Sequence, residues 1–384
     1  MALRVAKKKR ISRRAAFGVA AVILMLSAVS ALGVAWWNPG HQGPVVVATT
    51  SASTFHSTDA AGSQTKSRAL PLRGDGLRGR TGLRVLVADV PGPFVLDVDR
   101  GTVESVKGLP GGGHRGVSVQ AVGKDALVFS YRVCGRCRPD PRLYVVRHGT
   151  LAAVRLAGTA EAVPSLDGEG LWVLTRRYAR QCAIRKIDLD GRLLHAPRQV
   201  RCGTGLVAEL PAGLFVSYSG PLGSDSHHEL LEPDGRVVRL PYQEAQPVVG
   251  NLVLTGADRR TPLLLHDIRT RARSRLRWPS TPDYGLSEVT GEPNGPLAIV
   301  EFAKYSPVHK VDLWLLNTRT RRWQHLPAMP ARLIPKITDV KWTTDGRVVI
   351  LSGDLLALWR PGEPRLAVAR VKPSKQPGTG FVIW

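Results

Sequence analysis

The chain has 384 residues, with 54 Lys plus Arg against 30 Asp plus Glu and a formal net charge of +24. Hydrophobic residues at 43% exclude a disordered polyelectrolyte, and four cysteines are too few for a disulfide-framework scaffold. Arg outnumbers Lys 41 to 13 amid abundant Ala, Val, Gly, Leu and Pro, the bias of a GC-rich, actinobacterial type of coding sequence, so net charge alone does not imply a polyanionic partner.

Residues 1–14, MALRVAKKKRISRR, carry seven basic residues and no acid, and residues 15–37 carry no charge at all. At helical rise the uncharged run spans about 34 Å, enough for a hydrocarbon core of roughly 30 Å. The basic flank predicts a cytoplasmic tail over 1–14, a transmembrane signal-anchor helix over 15–37 with Trp36 and Trp37 in the outer aromatic belt, and export of everything beyond. A cleavable signal peptide, with small residues at Ala28, Ser30 and Ala31, is the competing reading, and SRRAAF resembles a twin-arginine signal. Export is common to all three, so the localisation expected is the cell membrane, single-pass, with the bulk of the chain extracytoplasmic.

Residues 38–80 are rich in Ser, Thr, Ala, Gly and Pro without an apolar period, which predicts a flexible linker. The Arg73-Gly74-Asp75 tripeptide within it is read as a chance match.

From residue 81 to 384 the pattern is all-β. Paired apolar runs recur, the second of each pair being FVLDVDRG, LYVVRHG, IRKIDLDG, ELLEPDG, LLLHDIRTR, LWLLNTRT and LALWRPG. Their turn residues, Gly101, Gly149, Gly191, Gly235, Arg271, Thr320 and Gly362, recur about every 43 residues, the length of a four-stranded propeller blade. Seven such units predict a seven-bladed β-propeller. The first unit lacks an innermost strand, and FVIW at 381–384 follows the last unit with nothing to pair with. The C-terminal run is therefore expected to complete blade 1.

DLWLLNTRTRRWQHLPAMP, 312–330, resembles the end of a kelch repeat, and KWTTDGRVVIL, 341–351, resembles the W-x-x-D-G blade opening of TolB-like propellers. Each resemblance covers one blade and implies propeller architecture and a scaffolding role; neither brings a site with it.

If strands a to d run from axis to rim, the b–c loops and the d–a connections share one face and the c–d turns the other. All four cysteines then fall on the loop face. The first reading is two local disulfides, Cys134–Cys137 and Cys182–Cys202, the latter across the hairpin turning at Asp190-Gly191 in an exported protein. A zinc site and a redox-active Cys134-x-x-Cys137 dithiol are the alternatives, weakened by the lack of a second CxxC and of a βαβ unit.

The b–c loops are also basic: Arg132, Arg136, Arg138, Arg176, Arg177, Arg180, Arg259, Arg260, Lys304 and Lys310 lie in or beside them, interleaved with Tyr131, Tyr178, Tyr218 and Tyr305, whereas the c–d turns mix signs. The expected partner of such a face is an anionic wall or lipid polymer or an acidic envelope protein, with Arg pairing bidentately to phosphate or carboxylate. Nucleic acid is not expected outside the cell.

Catalytic signatures are sparse. No G-x-S-x-G elbow occurs. LLLHDIRTRARSRLRW resembles quinoprotein repeats, but no adjacent Cys-Cys pair accompanies it, and no cofactor is expected. His227 and His228, beside Asp225 and Glu229, point to opposite sides of a strand and make a poor metal site. Asp225, Glu288, Glu292 and Glu301 are the carboxylates that an axial glycosidase- or lyase-like site would use. A binding scaffold on a tether is thus preferred over an exported propeller enzyme.

Overall fold

A computed structural model describes residues 74–89, 92–109, 115–132, 142–156, 161–177, 181–220, 226–242, 244–256, 259–280, 284–304, 310–332, 338–352, 355–370 and 377–384. The basic tail, the apolar span 15–37 and the linker as far as residue 73 lie outside the described residues, as do Cys134 and Cys137. Among the described residues no helix is long and apolar enough to cross a membrane.

The chain is a seven-bladed β-propeller of antiparallel four-stranded sheets. From axis to rim, blade 1 is Pro377–Ile383, Arg84–Asp89, Phe94–Asp97 and Thr102–Ser105, and blade 2 is Arg115–Val122, Asp125–Arg132, Arg142–Val146 and Ala153–Leu156. Blade 3 is Glu161–Pro164, Gly170–Arg177, Gln181–Asp188 and Arg198–Val200; blade 4 is Thr204–Leu210, Gly213–Tyr218, His227–Leu231 and Val237–Leu240. Blade 5 is Ala245–Pro247, Leu252–Thr255, Leu263–Asp267 and Arg273–Leu276, and blade 6 is Gly285–Gly291, Leu297–Lys304, Lys310–Asn317 and Arg322–His325. Blade 7 is Thr338–Trp342, Val348–Ser352, Leu355–Trp359 and Ala367–Arg370.

Each sheet is covered on both faces by its neighbours, which is why the b strands read as unbroken apolar runs such as Val348–Leu351 rather than alternating ones. Seven hydrophobic clusters result among the described residues, one per interface. Leu315 and Leu313 of blade 6 meet Trp342, Ile350 and Trp359 of blade 7, for example, and Phe215 and Leu230 of blade 4 meet Val253 and Ile268 of blade 5. A cluster between blades 7 and 1 shows that the ring is closed.

The closing strand is the one expected. Ile383, Val382 and Phe381 pair antiparallel with Val85, Leu86 and Val87, and the Trp384 N–H donates to the Arg84 carbonyl at 2.7 Å. Consecutive side chains point to opposite faces of a strand, so fully buried Phe381 enters the cluster against blade 7 while Val382 enters the one against blade 2. Both interfaces of blade 1 are completed by two residues.

A second strand ties the other end. Asp75–Gly76, inside the stretch read as linker, pairs in parallel with Ala367 and Val368 on the rim of blade 7. The Asp75 N–H donates to the Leu366 carbonyl at 2.8 Å, and Arg365 pairs with Asp75 at 3.2 Å. A Cβ on Gly74 would stand 2.3 Å from the Leu366 oxygen, so only glycine fits this approach.

The c–d turns repeat one device. Asp97, Asp188, Asp267 and Asn317 each accept two backbone N–H groups of the turn that follows. A left-handed residue ends most of these turns: Gly101, Gly191, Gly235 and Gly362, but also Arg271 at φ 63° and Arg321 at φ 58°. In blade 6 the left-handed residue is therefore Arg321 rather than Thr320, and in blade 2 it is Leu151, at φ 49°, rather than Gly149.

Removing residues 381–384 is expected to open the interfaces on both sides of blade 1 and abolish the cooperative transition in thermal unfolding; an unchanged melting curve would show that the ring closes without them. Arg271→Gly, at an exposed left-handed position, is expected to raise stability by up to about 1 kcal/mol, read as an upward shift in Tm.

Candidate functional site

The topology places the b–c loops and d–a connections on one face of the disc. Of the ten basic residues expected there, Arg136, Arg138 and Arg180 lie outside the described residues. Arg132 and Arg177 end the b strands of blades 2 and 3, where the backbone alone is described. Arg176, Arg259, Arg260 and Lys304 are exposed at the loop-face ends of blades 3, 5 and 6, and half-buried Lys310 lies across from Lys304. Arg176 is partly neutralised, since its guanidinium lies 3.7 Å from the Glu161 carboxylate.

Of the described basic residues expected there, Arg259 and Arg260 line a groove of about 490 Å³ where blade 5 meets blade 6, which continues into a second space of about 510 Å³. Its walls include Arg259 and Arg260 of the b–c loop, Arg275 near the end of the outer strand of blade 5, and Arg277 and Trp278 just past it. Trp314 and Trp323 of blade 6 close the far side. Arg275, Arg277 and the three tryptophans escaped the sequence reading because the Trp323 N–H meets the Arg277 carbonyl, at 2.9 Å, across 46 residues of sequence.

A second constellation lines the axis. Glu288 on the innermost strand of blade 6 stands directly opposite Glu301 on the next strand. Asp339 of blade 7 binds Lys341 Nζ at 2.9 Å and accepts the backbone N–H groups of Val340, at 2.8 Å, and Phe381, at 3.2 Å. Burial, reinforced by the charges of Asp339 and Glu301 and opposed by Lys341, raises the Glu288 carboxyl well above its ordinary range. Burial, with a smaller push from Asp339, raises Glu301 to about 7, against a hydrogen bond from Ser287. Burial also raises Glu161, on the innermost strand of blade 3, to about 7, opposed by the Leu206 N–H and by Arg176. Lys341 is held above its usual value despite burial, because Asp339 and Glu288 outweigh it. These carboxyls hold protons near neutral pH, which suits them to proton transfer.

Of the carboxylates expected at the axis, Glu288 and Glu301 are there. Glu292 lies instead in the a–b turn of blade 6, toward the opposite face, and Asp225 lies outside the described residues. Asp339 and Lys341 were not anticipated. Their signal was the D-x-K spacing in TDVKW, which puts both side chains on one side of an innermost strand.

His227 and His228 do occupy opposite faces. His228 stacks on Phe215 at 4.9 Å with Nδ1 against the Tyr242 carbonyl, and burial lowers its pKa; His227 meets Glu229 at 3.0 Å. No group of three or more potential metal ligands occurs among the described residues. Cys182 and Cys202 form a disulfide, with Cα atoms 5.3 Å apart, which ties the chain two residues past the outer strand of blade 3 to the strand beside it.

No protein-family model and no curated protein sequence matches the chain. Solved structures do resemble it. The periplasmic gluconolactonase PpgL of Pseudomonas aeruginosa superposes with a TM-score of 0.52 at 11% identity, over 78% of this chain and 98% of its own. A putative 6-phosphogluconolactonase of Bacteroides fragilis gives 0.47 at 10% identity, over 80% and 99%. TolB of Acinetobacter baumannii gives 0.40 at 15% identity, over 67% and 66%. At these identities the likeness is one of fold. The class that the fold defines is the seven-bladed β-propeller.

A carboxyl whose pKa is raised in the folded state binds its proton more tightly there than in the unfolded chain. Glu161 and Glu301 therefore favour folding below about pH 4.5, and that contribution is lost as pH rises through about 7, on the order of 1–3 kcal/mol each. Glu161→Gln and Glu301→Gln are each expected to melt higher than the native protein at pH 8 and to narrow the gap at pH 5. Equal shifts at both pH values would show that neither group titrates in this window.

Proposed function

We propose that the protein is a membrane-anchored, extracytoplasmic binding module of the cell envelope, whose propeller meets an anionic partner with its basic loop face. The observation that carries this reading is the convergence of Arg259, Arg260, Arg275 and Arg277 on one groove at that face. Guanidinium groups gathered on a rigid wall suit bidentate capture of carboxylate or phosphate, and like charges held together raise local anion concentration. The uncharged span 15–37 behind a basic tail supports the anchoring, and the Cys182–Cys202 disulfide accords with an oxidising compartment.

The test is capture from native envelope by the full-length protein in detergent, at low and high salt. The comparison is a variant carrying Arg176→Glu, Arg259→Glu, Arg260→Glu and Lys304→Glu. Under this reading a salt-sensitive partner is lost in the variant; a partner held equally by both proteins would move the working surface elsewhere.

A second reading, an exported enzyme, is favoured by one specific observation: Glu288 and Glu301 face each other across adjacent strands beside the Asp339–Lys341 pair. The Pseudomonas aeruginosa gluconolactonase has the same fold, so this architecture accommodates sugar-lactone chemistry. Turnover of a lactone or glycoside that disappears in Glu301→Gln, with a melting temperature no lower than the native protein's, would establish this reading; the binding reading expects none.

A further inference from the structure

Three half-buried tryptophans surround the second space of the groove between blades 5 and 6. Trp278 of blade 5 and Trp314 and Trp323 of blade 6 all pack on the one hydrophobic cluster that joins these blades, so they share the interface. Each is fixed at its nitrogen: Trp278 donates its indole N–H to the Thr261 carbonyl at 3.0 Å, Trp323 to the Arg277 carbonyl at 2.9 Å, and Trp314 to the Asp312 carboxylate at 3.0 Å. Fully buried Phe302 backs Trp278 and Trp323 with ring centroids 5.6 and 6.0 Å away, and His325 stacks on Trp314 at 4.4 Å. The other oxygen of Asp312 meets His325 at 2.6 Å, so a buried carboxylate, costly to place there, orients a surface ring together with the ring behind it. Among the described residues, ring contacts join these indoles to Phe302 and His325 and not to one another, which leaves the space between them open.

Such a wall offers a ligand ring faces and no indole donors. A groove that reads a peptide backbone needs donors for the carbonyls, and all three indole N–H groups are already taken within the protein. An aromatic cage for a quaternary ammonium needs a site free of positive charge, yet Arg259 stands at the edge, its guanidinium donating to the Pro279 carbonyl at 3.1 Å, and no carboxylate is among the described residues that line the space. Recognition by ring faces asks for no charge on the ligand. Exposed Arg259 and Ser280 add hydrogen-bonding groups beside the rings. That combination matches a pyranose with equatorial hydroxyls, whose C–H bonds make an apolar face and whose hydroxyls project from its rim. At about 510 Å³ the space lies within the range of small-ligand clefts, roughly 300–1,000 Å³.

We propose that the tryptophan-walled groove between the rims of blades 5 and 6 is a binding site for an uncharged saccharide, one pyranose ring lying with its C–H face on the indoles and its hydroxyls toward Arg259 and Ser280. The site needs no anion, so the inference goes beyond the anionic-partner reading and stands without it.

The experiment titrates full-length protein, in a detergent without a sugar headgroup, with cellohexaose, chitohexaose, choline chloride and a decaproline peptide, following indole emission and heat at low and high salt. At least one of the two glycans is expected to bind with a change in indole emission, and with an affinity that differs by less than about twofold between the salt concentrations. Trp323→Ala is expected to weaken that glycan by about tenfold or more. Because Trp323 also packs on Phe302, a second variant leaves the wall intact: Ser280→Tyr, at an exposed position, puts a ring into the groove and is expected to weaken binding about as much without lowering the melting temperature. Failure of both glycans to bind, full affinity in Ser280→Tyr, or choline or the peptide binding more tightly than either glycan would overturn the proposal. Glycan binding that is lost at high salt would overturn it as well, since charge and not the ring faces would then carry the affinity. Envelope capture tests the anionic reading separately: a salt-sensitive envelope partner with no glycan binding would remove this site and leave that reading in place.

Discussion

Every blade of this protein depends on one pairing, the antiparallel match of the last residues of the chain with Arg84–Asp89 near the start of the propeller. A blade has two apolar faces and no way to bury either by itself, so stability accumulates through interfaces between neighbours. An open ring would leave two faces wet. Because Phe381 and Val382 point to opposite sides, one short strand completes the interfaces with blades 7 and 2 together. The residues farthest apart in sequence are therefore those on which closure rests.

The same strand links closure to the axial charges. Asp339 accepts the Phe381 N–H while holding Lys341, so part of the funnel's electrostatics serves to seat the closing strand. A buried ion pair that also satisfies backbone donors offsets its own desolvation better than an isolated one. Glu288 and Glu301 have no such structural duty; they stand opposite each other with raised proton affinity. The funnel thus divides into a bracing half and a titrating half, and the surface groove of blades 5 and 6 is separate from both.

The blade count, the turn spacing and the role of the C-terminal run were legible because each is written locally: paired apolar runs, Asp or Asn with a left-handed residue at the turns, and a final strand with no partner nearby. The disulfide was legible from hairpin register, since Cys182 lies opposite Val200, two residues before Cys202. Some turn positions were misread because Leu151 and Arg321 adopt a conformation that glycine usually marks. The groove was not legible at all. Arg275 and Arg277 alternate with Leu276 as any rim strand does, and only the Trp323 contact from the next blade turns that strand into a wall. Asp339 and Lys341 show a similar limit: their spacing gives a shared side, while their partners arrive from blades 6 and 1.

The N-terminal strand has a mechanical consequence. Asp75–Gly76 holds the rim of blade 7, whereas the first propeller strand to follow, beginning at Arg84, belongs to blade 1. Tension arriving through the preceding chain is borne first by that pairing, by the Leu77 N–H donating to the Val368 carbonyl at 3.1 Å and by the Asp75–Arg365 contact, not by the closing strand. If the pairing yields, the chain is next held at Thr81 and Gly82, whose backbone N–H groups donate to the Asp99 carboxylate of blade 1 at 2.7 and 2.8 Å. A load entering from residue 74 would therefore meet the edge of the disc before the seam at which the ring closes.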